Sequence, residues 1–393
     1  MLFERDIFEE DHHIFREQVR RFFQKEVAPD HEEWEKAGHV PRELWQKAGR
    51  AGLLCTTQSD EYGGAGADFK FASIVMEEQS YAFTSGPGFS LHSDIVAPYI
   101  EHHGTKEQKE KWLPGMASGD VITAIAMSEP AAGSDLQGIK TTAEKDGDEW
   151  VINGSKTFIT NGQLTDMTIV VAKTDPDAGA RGISLFIVES DRDGFSRGRN
   201  LEKVGMKAQD TSELFFDNVR IPAENLLGHE GAGFFYLMQE LPRERLSVAV
   251  IAASAAHAAL KETVKYVNER EAFGRSISKF QNTRFEIADM LTKYEACQRL
   301  VDRCIVEQCN NTLTVPQAAA VKLHATELQW EITDRCVQLF GGYGYMWEYP
   351  IARALADARV QRIYAGTSEI MKELVSRAVL DEGSPASAKA AAE

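Results

Sequence analysis

Cysteine is scarce in this sequence. Five residues in 393, Cys55, Cys297, Cys304, Cys309 and Cys336, make an odd number with no C-x-x-C pair. That pattern argues against a disulfide framework and a cysteine zinc site, and reduced thiols are expected. Positive charge is also short, since 43 Lys and Arg face 60 Asp and Glu for a net charge of −17. A chain this acidic is not built for a global partnership with nucleic acid or an anionic membrane, although a local basic patch for an anionic cofactor stays open. Long apolar runs are missing too. The longest, Val248 to Leu260, is broken by Ser254 and His257 and is too short to span a bilayer. Met1 to Asp6 carry charge and no apolar segment follows, so no leader is expected and a cytoplasmic location is.

Common catalytic motifs are absent as well. Neither Gly64-Ala65-Gly66 nor Gly342-Tyr343-Gly344 extends to G-x-G-x-x-G, and Gly133 to Lys140 fails as a phosphate loop because Ile139 stands where lysine is needed. No H-E-x-x-H or G-x-S-x-G occurs. His12-His13 and His102-His103 read as solvated helix residues, and no metal is expected.

What is present is an ordinary globular composition, 43% hydrophobic and 26% charged, at a length for two or three domains. Three regimes follow one another. Residues 1–120 are helical in pattern, with Ile14, Val19, Phe22 and Phe23 forming an apolar stripe. Residues 121–228 turn to short β-rich runs separated by Asp146-Gly147, Asn153-Gly154 and Asn161-Gly162. Residues 229–380 return to long helical patterns, four or five helices broken at Pro242, Gly274, Pro316 and Gly341-Gly342. Residues 381–393 read as a flexible tail. The fold class is α+β.

Five dense polar segments stand out. Met127 to Asp135 leaves a strand with small residues, hydroxyls and amides crowded together, which suits close approach of a planar polar ligand as well as it suits a plain turn. Lys156 to Gly162 ends another strand and sets Phe158 and Thr160 on one face. Glu269 to Gly274 with Gln281, Gln338 to Gly342, and Arg359 to Glu369 complete the set. Taken singly, each is more often structural.

In this order and spacing the segments resemble the acyl-CoA dehydrogenase flavoprotein family over nearly the whole chain, Asp11 to Leu380. Asp135 to Thr141, Leu241 to Leu246 and Gly344 to Pro350 are most similar to its long-chain branch. The resemblance implies an N-terminal all-α domain, a middle β-barrel and a C-terminal four-helix bundle, assembled as a homotetramer (a dimer of dimers). It also implies FAD. Ile125, Met127, Ser128, Gly133 and Ser134 would wrap one side of the flavin, and Phe158, Ile159 and Thr160 would cover the other. Arg270, Phe273 and Gln281 would reach the dinucleotide held by a neighbouring subunit, which Gln338, Leu339, Phe340, Gly341 and Gly342 also approach. Thr367, Ser368 and Glu369 complete the flavin contacts.

The implied reaction takes a proton from the carbon beside a thioester and a hydride from the next carbon. That proton is far less acidic than a glutamic acid, whose pKa is about 4.3, so the site must stabilise the thioester oxygen and desolvate its base. Most family members place a glutamate immediately before the Gly-Thr of the last segment. This chain has Ala365 there. The long-chain and isovaleryl branches lack that glutamate too and carry the base in a Glu-Arg-Leu pattern, here Glu244-Arg245-Leu246. Glu244 is therefore the expected base, although on composition alone it reads as a solvated glutamate between two arginines. Pro242 is expected to kink or start its helix. Ser134, Ala180, Arg181, Phe235, Pro242, Arg243, Arg245, Ala365 and Gly366 fall where the long-chain branch contacts acyl-CoA, Ala365 through its backbone N–H.

Small residues at Ser85-Gly86-Pro87-Gly88 either leave depth for a long acyl chain or form a helix-start turn. Medium-to-long straight-chain acyl-CoA is the expected substrate, and electron-transferring flavoprotein the expected acceptor. An isovaleryl-type dehydrogenase, an oxidase or monooxygenase relative, and a non-catalytic acyl-CoA-binding protein are the alternatives.

Overall fold

The computed structural model describes residues 2–380; the tail expected at 381–393 lies outside the described residues. By backbone packing the chain divides into two compact units. One is Glu10–Glu240; the other joins the described residues up to Glu9 to those from Leu241 onward.

The first unit opens with six helices: α1 (Glu10–Phe22), α2 (His31–Ala37), α3 (Arg42–Arg50), α4 (Phe69–Tyr81), α5 (Ala97–His103) and α6 (Lys106–Ser118). The start of α6 is a capping box between Thr105 and Gln108, and Gly119 ends it at φ 78°. The stripe on α1 differs from expectation. Val19, Phe22 and Phe23 are buried, whereas Ile14 is 66% exposed. Five residues advance a helix by about 140° beyond a full turn, so Ile14 cannot share the face of Val19. His12 holds the inner position instead, its ring 4.5 Å from that of Phe71.

The strands expected as a barrel form one eight-stranded sheet: β1 (Thr123–Ala126), β2 (Thr142–Asp146), β3 (Glu149–Thr160), β4 (Met167–Lys173), β5 (Ile183–Glu189), β6 (Phe195–Asn200), β7 (Thr211–Pro222) and β8 (Leu226–Leu227). The order is β6-β7-β3-β2-β4-β5-β8, with β1 parallel to β4. On β4 and β5, Ile169, Val171, Leu185 and Ile187 pack with Tyr99, Trp112 and Met116 of the helices. The alternate residues Val170, Ala172, Phe186 and Val188 pack with Trp150 and Phe216 across the other face. Both faces are covered, which is why these strands read as unbroken apolar runs.

The segment Ser85-Gly86-Pro87-Gly88 is small for a packing reason. A Cβ on Gly86 would meet Ala208 at 2.8 Å, and one on Gly88 would meet Asn161 at 2.1 Å. These glycines accept close neighbours rather than leaving room.

Helix α7 (Gly233–Glu269) runs on into the second unit. Pro242 lies inside it and does not start it; its missing N–H leaves the Met238 carbonyl without the usual helical donor. Near its start, Glu240 is buried and accepts from His102 Nδ1 at 2.7 Å and His103 Nε2 at 3.2 Å. His103 stacks on Tyr236 at 4.1 Å. His12 and His103 are thus packed, not solvated as expected from sequence.

The second unit holds the rest of α7, then a two-stranded hairpin of β9 (Glu271–Ala272) and β10 (Arg275–Ser276), α8 (Gln281–Cys309), α9 (Val315–Phe340), α10 (Pro350–Gln361) and α11 (Ser368–Leu380). Helix α9 packs against α8, α10 and α11, and its buried Ala318, Ala319 and Ala325 let neighbours approach closely. The N-terminal segment is tied to α8. Arg5 Nη2 lies 2.6 Å from Asp302 Oδ1 with both side chains nearly buried, and Gln298 and Tyr294 extend the network along the helix.

Removing one partner of a buried ion pair costs about 3–5 kcal/mol. Arg5→Ala should lower the stability of the helical unit by that order in denaturant unfolding, while Lys36→Ala, in an exposed pair with Glu33, should leave it unchanged.

Acid supplies a second check. Burial pushes the Glu240 carboxyl up, but hydrogen bonds and charge from His102 and His103 outweigh it and hold it at about 2. A carboxyl depressed below its unfolded value of about 4.3 contributes stability that is complete above that value and is lost as pH falls toward 2. Unfolding between about pH 4 and pH 2 should show this loss in the wild type and a flatter limb in Glu240→Gln; superimposable limbs would remove the argument.

Candidate active site

In the first unit the site is built on the exit of β1. Glu129 is buried and organises it. Its carboxylate accepts from the Lys140 N–H at 2.6 Å, the Thr141 N–H at 3.0 Å and Lys156 Nζ at 2.9 Å. Lys156 also donates to the Met127 carbonyl at 3.0 Å, and the Thr157 N–H donates to the Ser128 carbonyl at 2.9 Å. The loop from Met127 to Thr141 is thereby fixed at both ends and stitched to β3. Burial pulls the Lys156 ammonium down to about 8 against the opposing pull of Glu129. Burial raises the Glu129 carboxyl, but the charge of Lys156 and its hydrogen bonds win and leave it lowered.

That stitching brings two predicted segments together. Ile125 lies buried in β1, Met127 and Ser128 sit half-buried at its exit, and Gly133 and Ser134 are exposed on the loop beyond. Opposite them β3 carries a bulge between Lys156 and Ile159, where Phe158 takes φ 61°. An added residue in one strand bends it and re-aims its side chains. Phe158 is turned outward at 69% exposure while Ile159 is buried; Thr160 is half-buried. Of the other predicted residues in this unit, Ala180 is half-buried and Arg181 exposed in a 3-10 turn, and Phe235 is 54% exposed on α7.

In the second unit, two groupings form. The first is a cavity of about 510 Å³. Arg270 and Gln338, Leu339, Phe340, Gly341 and Gly342, which the resemblance assigns to a neighbouring subunit's dinucleotide, line it together with Tyr266, Ile277, Tyr343 and Met346. Tyr266 stacks on Phe340 at 4.0 Å, and the Arg270 guanidinium lies 5.5 Å from the Tyr343 ring centre. Aromatic and apolar walls with one planar cation suit a nucleotide with phosphate. Phe273 and Gln281 do not line it. Phe273 tips the β9–β10 hairpin at 95% exposure, and Gln281 opens α8, exposed. Tyr266 was legible only as the residue one helical turn before Arg270.

The second grouping surrounds the turn between α10 and α11. Ala365 and Gly366 take φ 52° and 96° in succession. Their carbonyls face buried cations: Arg245 Nε is 3.4 Å from the Ala365 oxygen, and Lys322 Nζ donates to the Gly366 oxygen at 2.7 Å. Outside the turn, Glu327 accepts from Arg362 at 2.9 Å and from the Ser368 hydroxyl at 2.5 Å, and Ser368 N–H donates to the Arg362 carbonyl at 3.1 Å. Among the described residues neither the Ala365 nor the Gly366 N–H has a hydrogen-bond acceptor. Glu244 and Arg245 are 5% and 6% exposed on α7, with Pro242 and Arg243 half-buried before them. Glu244 is thus not the solvated helix residue that composition alone favours. Thr367 accepts from the Ile370 N–H at the start of α11, and Glu369 is exposed there. Lys322 carried no sequence signal.

Family models for the N-terminal, middle and C-terminal domains of acyl-CoA dehydrogenase match residues 9–120, 124–219 and 231–380. The mitochondrial long-chain specific acyl-CoA dehydrogenase of Sus scrofa is 54% identical over 382 residues, 96% of this chain and 88% of its own. An acyl-CoA dehydrogenase structure from Geobacillus kaustophilus superimposes with a TM-score of 0.94 at 48% identity, covering 96% of this chain and all of that one. A glutaryl-CoA dehydrogenase from Mycobacterium smegmatis in complex with FADH2 matches at a TM-score of 0.88 and 29% identity, covering 95% of each chain. With the sheet, the helical unit and the Ser128 and Ala365 segments in place, this chain belongs to the acyl-CoA dehydrogenase family, a family of oxidoreductases.

Proposed function

We propose that this chain carries out FAD-dependent α,β-dehydrogenation of medium-to-long-chain acyl-CoA to the trans-2-enoyl-CoA, with Glu244 as the base. The observation that carries the assignment is a buried glutamate on α7 in a chain whose last signature offers Ala365 in place of a carboxylate. A base for so weakly acidic a proton must be held at a fixed place away from bulk water, and burial does this for Glu244. Arg245 follows it in sequence and bonds to the Ala365 carbonyl, which sets base and turn beside each other. The N–H of Ala365 is the donor for the thioester oxygen as charge develops there.

The residues fit FAD. A Cβ at Gly133 or Gly342 would meet nothing within 4 Å, and neither residue has a positive φ. Nothing inside the chain calls for glycine at these two positions, whereas close approach of a ligand does. Ile125, Met127, Ser128, Gly133 and Ser134, with Phe158, Ile159 and Thr160, would hold the isoalloxazine; Thr367, Ser368 and Glu369 are also assigned to FAD. When bound, FAD supplies the acceptor for the β-hydride. The cavity of Arg270, Tyr266 and Gln338 to Gly342, with Phe273 and Gln281 exposed nearby in sequence, is assigned to the dinucleotide of a neighbouring subunit. That assignment makes dimerisation part of cofactor binding, within a proposed homotetramer, a dimer of dimers. Ser134, Ala180, Arg181, Phe235, Pro242, Arg243, Arg245 and Gly366 are assigned to acyl-CoA.

Straight-chain preference rests on the long-chain relative, not on Ser85 to Gly88, whose small residues packing explains. Electron-transferring flavoprotein is the proposed electron acceptor. No described helix is long and apolar enough to cross a membrane. The five free cysteines suit a reducing compartment, proposed to be the cytoplasm.

Glu244→Gln, purified with FAD bound, should still bind palmitoyl-CoA and lose about 10²–10⁴-fold in turnover with an artificial electron acceptor. Turnover at the wild-type rate would rule Glu244 out as the base.

A further inference from the structure

The turn that presents the Ala365 amide is an unfavourable piece of backbone. A non-glycine residue in the left-handed region is uncommon, and Ala365 has no side chain able to compensate by a local hydrogen bond. Gly366 follows at φ 96°, a conformation that suits glycine, and a Cβ there would also meet Met371 at 2.6 Å. Such conformations persist where the surroundings over-determine them. Here one surrounding group is out of the ordinary. Lys322, in the middle of α9, is 0% exposed and spends its ammonium on a backbone carbonyl, that of Gly366 at 2.7 Å. An ammonium buried on a neutral acceptor is costly, and a shorter apolar residue would pack on α9 at lower cost if packing were the only demand.

Resting on the reading of Ala365 given above, we infer that Lys322 is a positioning residue: by holding the Gly366 carbonyl it anchors the peptide that follows the left-handed pair Ala365–Gly366 and so keeps the Ala365 N–H aimed at the thioester oxygen. The Ala365 N–H and the Gly366 carbonyl lie in the peptide planes on either side of the Ala365–Gly366 peptide, so holding that carbonyl restricts the backbone rotations of the left-handed pair that would swing the N–H. Arg245 holds the neighbouring Ala365 carbonyl at 3.4 Å, a long contact that leaves the shorter bond to Lys322 as the stronger restraint. Glu327 fixes the two flanks through Arg362 and Ser368, so the turn keeps its place in the fold without Lys322 and loses only its internal aim.

The charges that face Lys322 are Arg245 on α7, Glu327 on its own helix and Glu369 on α11. Burial lowers the ammonium to about 8, and Arg245 adds to the lowering while the two glutamates oppose it. Below that value the bond to Gly366 is charge-assisted; above it the amine keeps N–H donors but progressively loses the charge that strengthens the bond. The positioning effect therefore weakens as pH rises through about 8.

The test compares two ligands on the FAD-loaded wild type, Lys322→Met and Lys322→Arg by calorimetry. One is trans-2-hexadecenoyl-CoA, which keeps the thioester carbonyl; the other is S-hexadecyl-CoA, a thioether without it. The wild type should prefer the thioester. Lys322→Met should lose about 10-fold of that preference with thioether affinity unchanged, and Lys322→Arg, which still offers a cationic donor, should restore most of it. In the steady state kcat falls more than KM rises, and the fall in wild-type kcat above about pH 8 is absent from Lys322→Met. Equal weakening of both ligands in Lys322→Met, or preference retained at the wild-type level, would overturn the inference. A wild type that makes no distinction between the two ligands would instead overturn the role of Ala365 on which it stands.

Discussion

The Glu129 carboxylate is the constraint on which the first half of the site depends. A buried carboxylate and a buried ammonium each cost several kcal/mol before they find partners, and their attraction offsets this only when the remaining lone pairs are satisfied. Glu129 meets that condition with Lys156 and two backbone N–H groups. Because those N–H groups belong to Lys140 and Thr141, eleven and twelve residues further along, the ion pair closes a loop as well as neutralising a charge. The lysine side contributes equally, since the same ammonium caps the Met127 carbonyl at the end of β1. A polar loop with small residues has little hydrophobic reason to hold one shape. Here its shape is set from beneath, and Gly133 and Ser134 are left outermost.

The same physical device recurs in the helical unit. Asp302 fastens Arg5 to α8, and Lys322 with Arg245 fastens the carbonyls of the left-handed turn. In each case a buried charge is spent on backbone or on a distant segment, and a short non-helical stretch is held in a geometry it would not adopt alone. The catalytic argument follows from this distribution. Helices supply the stiff positions of Glu244, Arg245 and Lys322, while the turn after α10 leaves the Ala365 N–H without an acceptor among the described residues.

The sequence was most informative where function demands residue types that packing does not. Ala365 before Gly366-Thr367, and Glu244 within Glu-Arg-Leu, were singled out by the resemblance to the family, since on composition alone Glu244 reads as a solvated helix residue. Arg270 and Gln338 to Gly342 were read from two segments sixty-odd positions apart, and they line one cavity. Long-range partners were not legible. Lys156 and Glu129 are 27 residues apart, and only the packing of β3 near the exit of β1 brings them together. Lys322 looks like any lysine on an Ala-rich helix until α11 is packed against it. Periodicity misplaced Ile14, because a helix turns too far in five residues for it to share the face of Val19, and His12 fills that face. Smallness at Ser85 to Gly88 was compatible with space or with contact, and the positions of His31, Ala208 and Asn161 decide for contact.

The central claim is that this scaffold holds a flavin and an acyl thioester so that Glu244 takes the proton beside the carbonyl. Its most direct measurement is anaerobic mixing of the wild-type holoenzyme with palmitoyl-CoA, octanoyl-CoA and isovaleryl-CoA while the visible spectrum is recorded. The account predicts a flavin spectrum that bleaches with the straight-chain substrates, fastest with the long ones. Bleaching led by isovaleryl-CoA would contradict the straight-chain assignment, and a bound flavin that none of the three reduces would contradict the chemistry itself.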